Sequence, residues 1–270
     1  MSVEIDRLEI DKVASAFVQA RRDATGLATY PGTKPQDMAE AYAIQNRALA
    51  LEDRTVVGWK VGRVPPPHVE RLGTDRLAGP IFADTVIWAA PGAAPEMPVF
   101  AEGFAAVEAE FMAHVAPGFT GAVPADDAGT LAILDDLRIG IEIASSPYPG
   151  INEDGPTVTV SDFGNNHGLI LGAVLEGWRT LDLRSLPLST AINGEIVGEA
   201  TAAAMLDGPL GAVRFLLANL IERGIDTSKG LWVSTGAVTG VHAIAVGQSA
   251  TASFGPYGQV SCRIVAAKAR

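Results

Sequence analysis

The sequence predicts an α+β fold, in which a helical N-terminal segment leads into a β-rich body. Three observations predict it. Near the N-terminus apolar residues recur at helical spacing. From about residue 55 short β-like runs separated by Gly and Pro replace them, and Asn193-Gly194 lies between extended residues, a hairpin signal.

The first helix is expected over "RLEIDKVASAFVQARRDA", where Leu8, Ile10, Val13, Phe17 and Ala20 repeat at helical spacing. After a loop containing Gly26, Pro31 and Gly32, "KPQDMAEAYAIQNRALALED" opens with Pro35 in a first-turn position and continues as a second amphipathic helix. Strands are expected at "TVVGWKVG", "VEAEFMAHV", "IGIEIA", "TVTVSD" and "GLILGAVLEGW", and a hairpin at "STAINGEIVG". A further helix follows at "GPLGAVRFLLANLIERG", with Asp207 placed to cap its start and Gly224 at its end. The tail, from "GLWVSTGAVTG" onward, reads as short strands and tight turns. Neither internal repeats nor a low-complexity linker is present. The expected division is a helical and α+β segment over 1–90 and a β-rich catalytic domain over 91–270.

The chain has 270 residues, 48% hydrophobic and 19% charged, enough to bury a core and too apolar for a disordered chain. It contains no run of about 18 uninterrupted apolar residues, so no membrane span is expected. The acidic start "MSVEIDRLEIDKVASAF" argues against a secretory signal. A single cysteine, Cys262, excludes an internal disulfide and fits a reducing, cytoplasmic setting. The net charge of −11 disfavours nucleic acid and anionic membranes as partners. It would also repel an anionic substrate, unless a cation or a local basic group mediates the contact.

Alternation along "VEAEFMAHV" puts Val107, Ala109, Phe111, Ala113 and Val115 on one face, suited to a core, and Glu108, Glu110, Met112 and His114 on the other. Residues two apart on a strand are separated by about 6.5 Å, so both carboxylates point the same way. A solvated strand face is the plainer account of such a pair. Glu142 shifts the balance, because it interrupts the apolar strand "RIGIEIASS" with Gly140 and Ala144 on its own face, expected to leave space above the carboxylate. If the two strands are neighbours, three carboxylates share one pocket. At about 6 Å apart they would repel by roughly 3 kcal/mol per pair at an effective dielectric near 20, so they either take up protons or hold a cation. Hard oxygen donors with no nearby cysteine and at most one histidine point to Mg²⁺, Mn²⁺ or Ca²⁺ over zinc or copper. Three protein ligands would leave roughly half of an octahedral shell open to substrate or water.

In "TVVGWKVGR" Lys60 shares its face with Gly58 and Gly62, which are expected to clear room around the ammonium. An edge-strand lysine that discourages aggregation is the plain alternative. The functional reading is a partly buried amine beside a divalent cation, with its pKa lowered by both, serving as acid and base. Weaker candidates are Asp84 in "GPIFADTV", the polar loop Asp162, Asn165, Asn166 and His167, and "WVSTGAVTG". The last of these supplies Ser234, Thr235 and Gly236 at a strand end, where a hydroxyl and a backbone N–H could hold a carboxylate. His68 and His242 read as surface loop residues.

Taken in order, "GWKVG", "LGTDRLAGPIFAD", "VEAEF", "GIEIASS", "VSDFGNNHGLILG", "GPLGAVRFLLANLIERG" and "WVSTGAVTG" resemble the fumarylacetoacetate hydrolase superfamily. Within it they resemble the 2-keto-4-pentenoate hydratase and 4-oxalocrotonate decarboxylase branch. The resemblance covers nearly the whole chain. It implies a mixed β-roll with a smaller helical N-terminal part, assembled into homo-oligomers. It further implies Mg²⁺ or Mn²⁺ held by Glu108, Glu110 and Glu142, Lys60 as catalytic acid/base, and Asp84 near the substrate. Asn165, Thr235 and Gly236 are implied to line the substrate pocket. Two departures stand out: "RVPPPHVERLG" replaces a small hydroxyl-bearing stretch after "KVG", and Asp162-Phe163 stands where relatives often read Asp-Asn.

The implied reaction is hydration of a 2-hydroxydienoic or 2-oxo-enoic acid, of the kind met in aromatic meta-cleavage catabolism. Lys60 would move the proton that converts dienol to ketone before water adds at the far carbon. A 2-oxo acid decarboxylase, or a C–C hydrolase of acylpyruvates using His114 or His167, is the rival within the superfamily. A Ca²⁺-stabilised, non-catalytic β module is the rival outside it, and would enclose its ion completely in protein oxygens.

Overall fold

Helix α1 (Arg7–Asp23) begins at Asp6, whose carboxylate accepts from the Glu9 amide, and ends at left-handed Ala24 after a basic last turn of Arg21 and Arg22. The computed structural model describes residues 5–270. After α1 come α2 (Met38–Leu51), β1 (Val56–Arg63), α3 (Pro66–Leu72), β2 (Arg76–Phe82), β3 (Val86–Trp88), β4 (Glu96–Val99), β5 (Phe104–Val115), α4 (Asp127–Ala132) and β6 (Leu134–Ser146). The second half contains α5 (Pro156–Ser161), β7 (Asn166–Val174), β8 (Pro187–Ile192), β9 (Glu195–Thr201), α6 (Gly208–Glu222), β10 (Leu231–Ser234), β11 (His242–Ala243), β12 (Ser249–Ser253) and β13 (Gln259–Ala266).

The strands form two mixed sheets, and the fold class is α+β. One sheet runs β2-β1-β10-β5-β6-β7-β3, with β11 also paired to β5; the other runs β4-β13-β12-β8-β9. Parallel pairs β1–β10, β3–β7 and β4–β13 interrupt otherwise antiparallel ladders. The main core collects Phe111, Ile139 and Ile141 from the first sheet, Phe254 and Ile264 from around the second, and Leu216 and Leu220 from α6. A second cluster joins Val13, Phe17 and Ile44 of the N-terminal helices to Val158, Phe82 and Phe163. Strands β1 to β3 precede residue 90 yet pair into the sheet built by β5 to β7 and β10, so that sheet crosses the expected 90/91 division. Among the described residues no helix is long and apolar enough to cross a membrane.

Asn193 and Gly194 take φ 51° and 85°, the left-handed pair that closes the β8–β9 hairpin. Three local expectations are corrected. Helix α2 starts at Asp37, which caps the Glu40 amide, so Pro35 lies before the helix and not in its first turn. Asp207 makes no side-chain cap on α6 and instead pairs with Arg76 and Arg214. "TVTVSD" is not a strand. It forms the buried helix α5, whose start follows Gly155 at φ 97° with Pro156 in the first turn. Its β-favouring threonines are satisfied sideways, Thr157 donating to the Pro35 carbonyl (2.7 Å) and Thr159 to that of Ile151 (3.0 Å).

Candidate active site

Strands β5 and β6 are antiparallel neighbours, with Glu108 opposite Glu142 and Glu110 opposite Gly140. The core face of β5 is Val107, Ala109, Phe111, Ala113 and Val115, as alternation predicts. The opposite face is not solvated: Glu110 and Glu142 are completely buried and Glu108 is 5% exposed. One oxygen from each carboxylate lies within 4.8 Å of the others. Oxygens on opposite sides of one hard cation are about 4.2 Å apart for Mg²⁺ and about 5 Å for Ca²⁺, so a single ion can touch all three.

The partners of these oxygens are unevenly distributed. Glu110 Oε2 accepts from Ser234 Oγ (2.5 Å) and from the Gly236 amide (2.8 Å). Glu142 Oε1 accepts from Asn166 Nδ2 (2.8 Å) and lies 3.4 Å from Lys60 Nζ. Glu110 Oε1 and Glu142 Oε2 are buried with no hydrogen-bond partner. Two orphaned anionic oxygens beside a third carboxylate fit a divalent cation, and the all-oxygen donor set fits a hard one. Without one, burial pushes the Glu108 carboxyl up to about 7 against the pull of Lys60. Burial and then the charges of Glu142 and Glu108 hold Glu110 well above its ordinary value.

Lys60 reaches this group from β1, two strands away from β5, in register with Ser234 of the intervening β10. Its ammonium donates to Asn165 Oδ1 (3.2 Å). Burial pulls its pKa down, as the sequence predicts, but Glu142, Glu108 and Glu110 outweigh burial and raise it above its ordinary value. Lys60 therefore rests as an ammonium among carboxylates. Of the two flanking glycines only Gly62 faces the ammonium, a Cβ there falling 3.8 Å from Nζ. Gly58 answers to a different neighbour, since its Cβ would lie 2.4 Å from the Trp232 carbonyl oxygen. Gly140 likewise leaves no gap above Glu142: Met112 fills it, with Cγ 2.5 Å from where a Cβ would stand.

A cavity of about 530 Å³ opens over the group, lined by Lys60, Glu108, Asn165, Thr235 and Gly236. The donors of the Thr235-Gly236 turn are already engaged. Thr235 Oγ1 donates to the Phe111 carbonyl (3.0 Å) and the Gly236 amide to Glu110, so the turn organises a carboxylate more than it offers free donors. Asp84 is not among the residues lining the cavity. It sits half-exposed in a 3-10 turn after β2, paired with Arg54 (2.7 Å) and facing Arg270 (3.8 Å). Neither His114, paired with Asp135 at 2.6 Å, nor the half-buried His167 lines the cavity. His68 does line it, on the short helix that the triple proline begins, and so do Arg63 and Arg76. For Arg63 and His68 the sequence signal is faint, a basic residue and a histidine flanking the proline run in the stretch that departs from relatives, and Arg76 carries none.

No family model matches the chain. In sequence it is 32% identical over 135 residues to a 4-oxalocrotonate decarboxylase from Pseudomonas putida, a match spanning 50% of this chain and about half, 51%, of that relative. It is 27% identical over 237 residues to a 2-keto-4-pentenoate hydratase from Burkholderia vietnamiensis, covering 86% of this chain and 88% of the relative. Among solved structures, 4-oxalocrotonate decarboxylase from Pseudomonas putida G7 complexed with magnesium and adipate superimposes with a TM-score of 0.78 at 23% identity, over 97% of this chain and 99% of that one. A fumarylpyruvate hydrolase from Pseudomonas aeruginosa in complex with Mn²⁺ and pyruvate superimposes with a TM-score of 0.58 at 18% identity, over 80% and 93%. The chain is thus similar in sequence to a 4-oxalocrotonate decarboxylase over about half of its length and to a 2-keto-4-pentenoate hydratase over most of it, and it shares the fold of the solved decarboxylase and fumarylpyruvate hydrolase.

Proposed function

We propose that this chain is a divalent-metal-dependent hydratase of a small 2-hydroxydienoic or 2-oxo-enoic acid. The observation that carries the proposal is the trio of buried carboxylates, two with orphaned oxygens, gathered beside one buried ammonium under a cavity of substrate size. Glu108, Glu110 and Glu142 would hold Mg²⁺ or Mn²⁺. Bound there, the ion supplies Lewis-acid stabilisation of negative charge on a substrate oxygen and offsets the three carboxylates. A chain of net charge −11 thereby accepts an anionic substrate.

The protein groups do the remaining work. Lys60, held as an ammonium by its carboxylate neighbours, starts as the proton donor, and Asn165 fixes the direction of one of its N–H bonds. As the dienol becomes the ketone, the C2 hydroxyl loses its proton and one is delivered to the far end of the conjugated chain. Water then adds across the remaining double bond, oxygen at C4 and hydrogen at C3, giving a 4-hydroxy-2-oxo acid. Ser234 and Gly236 keep Glu110 in place. Asp84, expected near the substrate, is given no role in this scheme, because its carboxylate is committed to Arg54 at the surface.

A decarboxylase is the second reading, and one observation favours it. Arg63, exposed and without an ion-pair partner among the described residues, lines the cavity with Arg76 and His68. The unpaired Arg63 guanidinium suits a second carboxylate, as a dicarboxylic 2-oxo acid has. Incubating chelator-stripped protein with 2-hydroxypenta-2,4-dienoate and with 4-oxalocrotonate, then adding Mg²⁺ or Mn²⁺, separates the readings. Hydration of the dienoate on adding metal supports the first, and CO₂ release from the dicarboxylate with none of the hydrated product supports the second. Undiminished turnover in chelator, or none with metal, overturns both.

A further inference from the structure

Arg21 sits in the last turn of α1, outside the cavity, yet it is 4% exposed and every nitrogen of its guanidinium has a partner. Nε and Nη2 grip the Asp162 carboxylate at 2.5 and 2.9 Å, a bidentate pair with no exposed atom on the acidic side. Nη2 also donates to the carbonyls of Ser145 (3.1 Å) and Asp162 (3.3 Å), and Nη1 to that of Asn166 (3.1 Å). The remaining contact is with His167 Nδ1 at 3.3 Å; burial, then the Arg21 charge, depresses the pKa of that ring, which fits a neutral acceptor. The rings of Phe100 and Phe163 lie 5.5 and 5.3 Å from the guanidinium carbon.

What Arg21 holds is a backbone that would not rest there unaided. Phe163, Gly164 and Asn165 have φ of 55°, 62° and 57°, three left-handed residues in succession, of which only the glycine adopts that region freely. The two loop carbonyls that Arg21 binds belong to Asp162 and Asn166, the residues on either side of this triplet. The far side of the triplet is braced by Gly79 of β2, where a Cβ would lie 2.1 Å from the Phe163 carbonyl oxygen. Two side chains of the clamped loop enter the site: Asn165 meets Lys60, and Asn166 meets Glu142.

We propose that Arg21 is a positioning residue for the candidate active site: by clamping both ends of the left-handed 163–165 triplet it sets Asn166 against Glu142 and Asn165 against Lys60. The N-terminal helix is thereby part of the site without touching substrate. This inference rests on the reading of Glu108, Glu110 and Glu142 as cation ligands, and its test separates the two.

Mn²⁺ affinity is measured by titration calorimetry on the wild-type chain, Arg21→Lys, Asn166→Ala and the double variant, with kcat and KM recorded alongside. Lysine keeps the charge opposite Asp162 but cannot grip a carboxylate bidentately and reach both carbonyls. Each single variant is expected to bind Mn²⁺ about tenfold more weakly. The double variant is expected to lose about tenfold, not about hundredfold, because both changes break one connection. In Arg21→Lys kcat falls while KM stays within about threefold, since no substrate contact is removed. Additive losses in the double variant, or wild-type affinity in Arg21→Lys, overturn the role of Arg21. No Mn²⁺ binding by the wild-type chain overturns the metal reading instead. If Arg21→Lys does not fold, Arg21→Met/Asp162→Asn, which removes both charges, takes its place in the cycle. Failure of that variant to fold also refutes the proposal, because Arg21 would then be a determinant of the fold and not of the site.

Discussion

At the scale of single residues, Glu110 and Lys60 should respond to mutation in opposite ways. Glu110 Oε1 has no partner, and the carboxylate lies against two others in a buried site. Glu110→Gln removes one charge from a repelling trio while leaving an acceptor for Ser234 and Gly236. The metal-free protein is therefore expected to melt a few degrees higher than wild type. Turnover with saturating Mg²⁺ is expected to fall by about three orders of magnitude, because a ligand charge is gone. Lys60→Met removes the ammonium that neighbours the trio, 3.4 Å from Glu142. The isosteric stem keeps the packing, but the carboxylates lose their internal counter-charge. Its metal-free form should melt lower and its Mn²⁺ affinity should rise, while kcat falls about 10²–10⁴-fold with the loss of a proton-transfer group. Thermal melts and calorimetric titration of the two variants check this reversal. A parallel response of both would show that Lys60 and Glu110 do not share one electrostatic site.

At the scale of elements, the loop after α5 is the sensitive part. Gly79 on β2 and Gly164 in the loop approach so closely that a Cβ at Gly79 would lie 2.8 Å from the Gly164 Cα, and one at Gly164 would lie 2.9 Å from the Gly79 Cα. Gly79→Ala is expected to cost about 1–3 kcal/mol through overpacking, measured by urea unfolding, and to lower kcat further by displacing Asn165. Full stability with full activity would mean that the loop and β2 can part without consequence. This loop also shows where sequence reading stops. The carboxylate trio was legible because side-chain alternation on β5 and β6 sorts charged from apolar positions, and because two long strands in succession tend to pair. Lys60 was legible from its place between Gly58 and Gly62 on one strand face, although only Gly62 faces the ammonium. Arg21 was not, because its partner Asp162 is 141 residues away and a basic last turn is ordinary helix chemistry. "TVTVSD" misled for a related reason. Its β-branched composition favours a strand, and only the buried carbonyls of Pro35 and Ile151, which its threonines satisfy, make a helix of it. A glycine in the sequence implies open space, yet at Gly58 and Gly140 that space is filled, by the Trp232 backbone and by Met112.

At the scale of the whole molecule, three carboxylates closed into the interior of a chain of net charge −11 make metal-free stability depend on pH in a definite direction. Burial raises the Glu108 carboxyl from 4.5 to about 7 in the folded chain. For an acid raised in this way the folded state binds more protons than the unfolded one between those values. Metal-free stability therefore falls as pH rises from about 4.5 through about 7, and is lowest above it. An ion competes with those protons and binds the deprotonated group, so its stabilisation grows across the same window. At a free Mn²⁺ concentration about a thousandfold above its dissociation constant, binding to the folded state alone contributes about 4 kcal/mol. For a chain of this size that raises the melting temperature by about 8 °C. The expected result is a melting-temperature gain on adding Mn²⁺ that approaches this value at pH 8 and shrinks to a small fraction of it at pH 5 at the same Mn²⁺ concentration. A gain independent of pH would place the ion on exposed carboxylates instead of the buried trio. No gain at any pH would leave the two orphaned oxygens of Glu110 and Glu142 without the partner their burial demands.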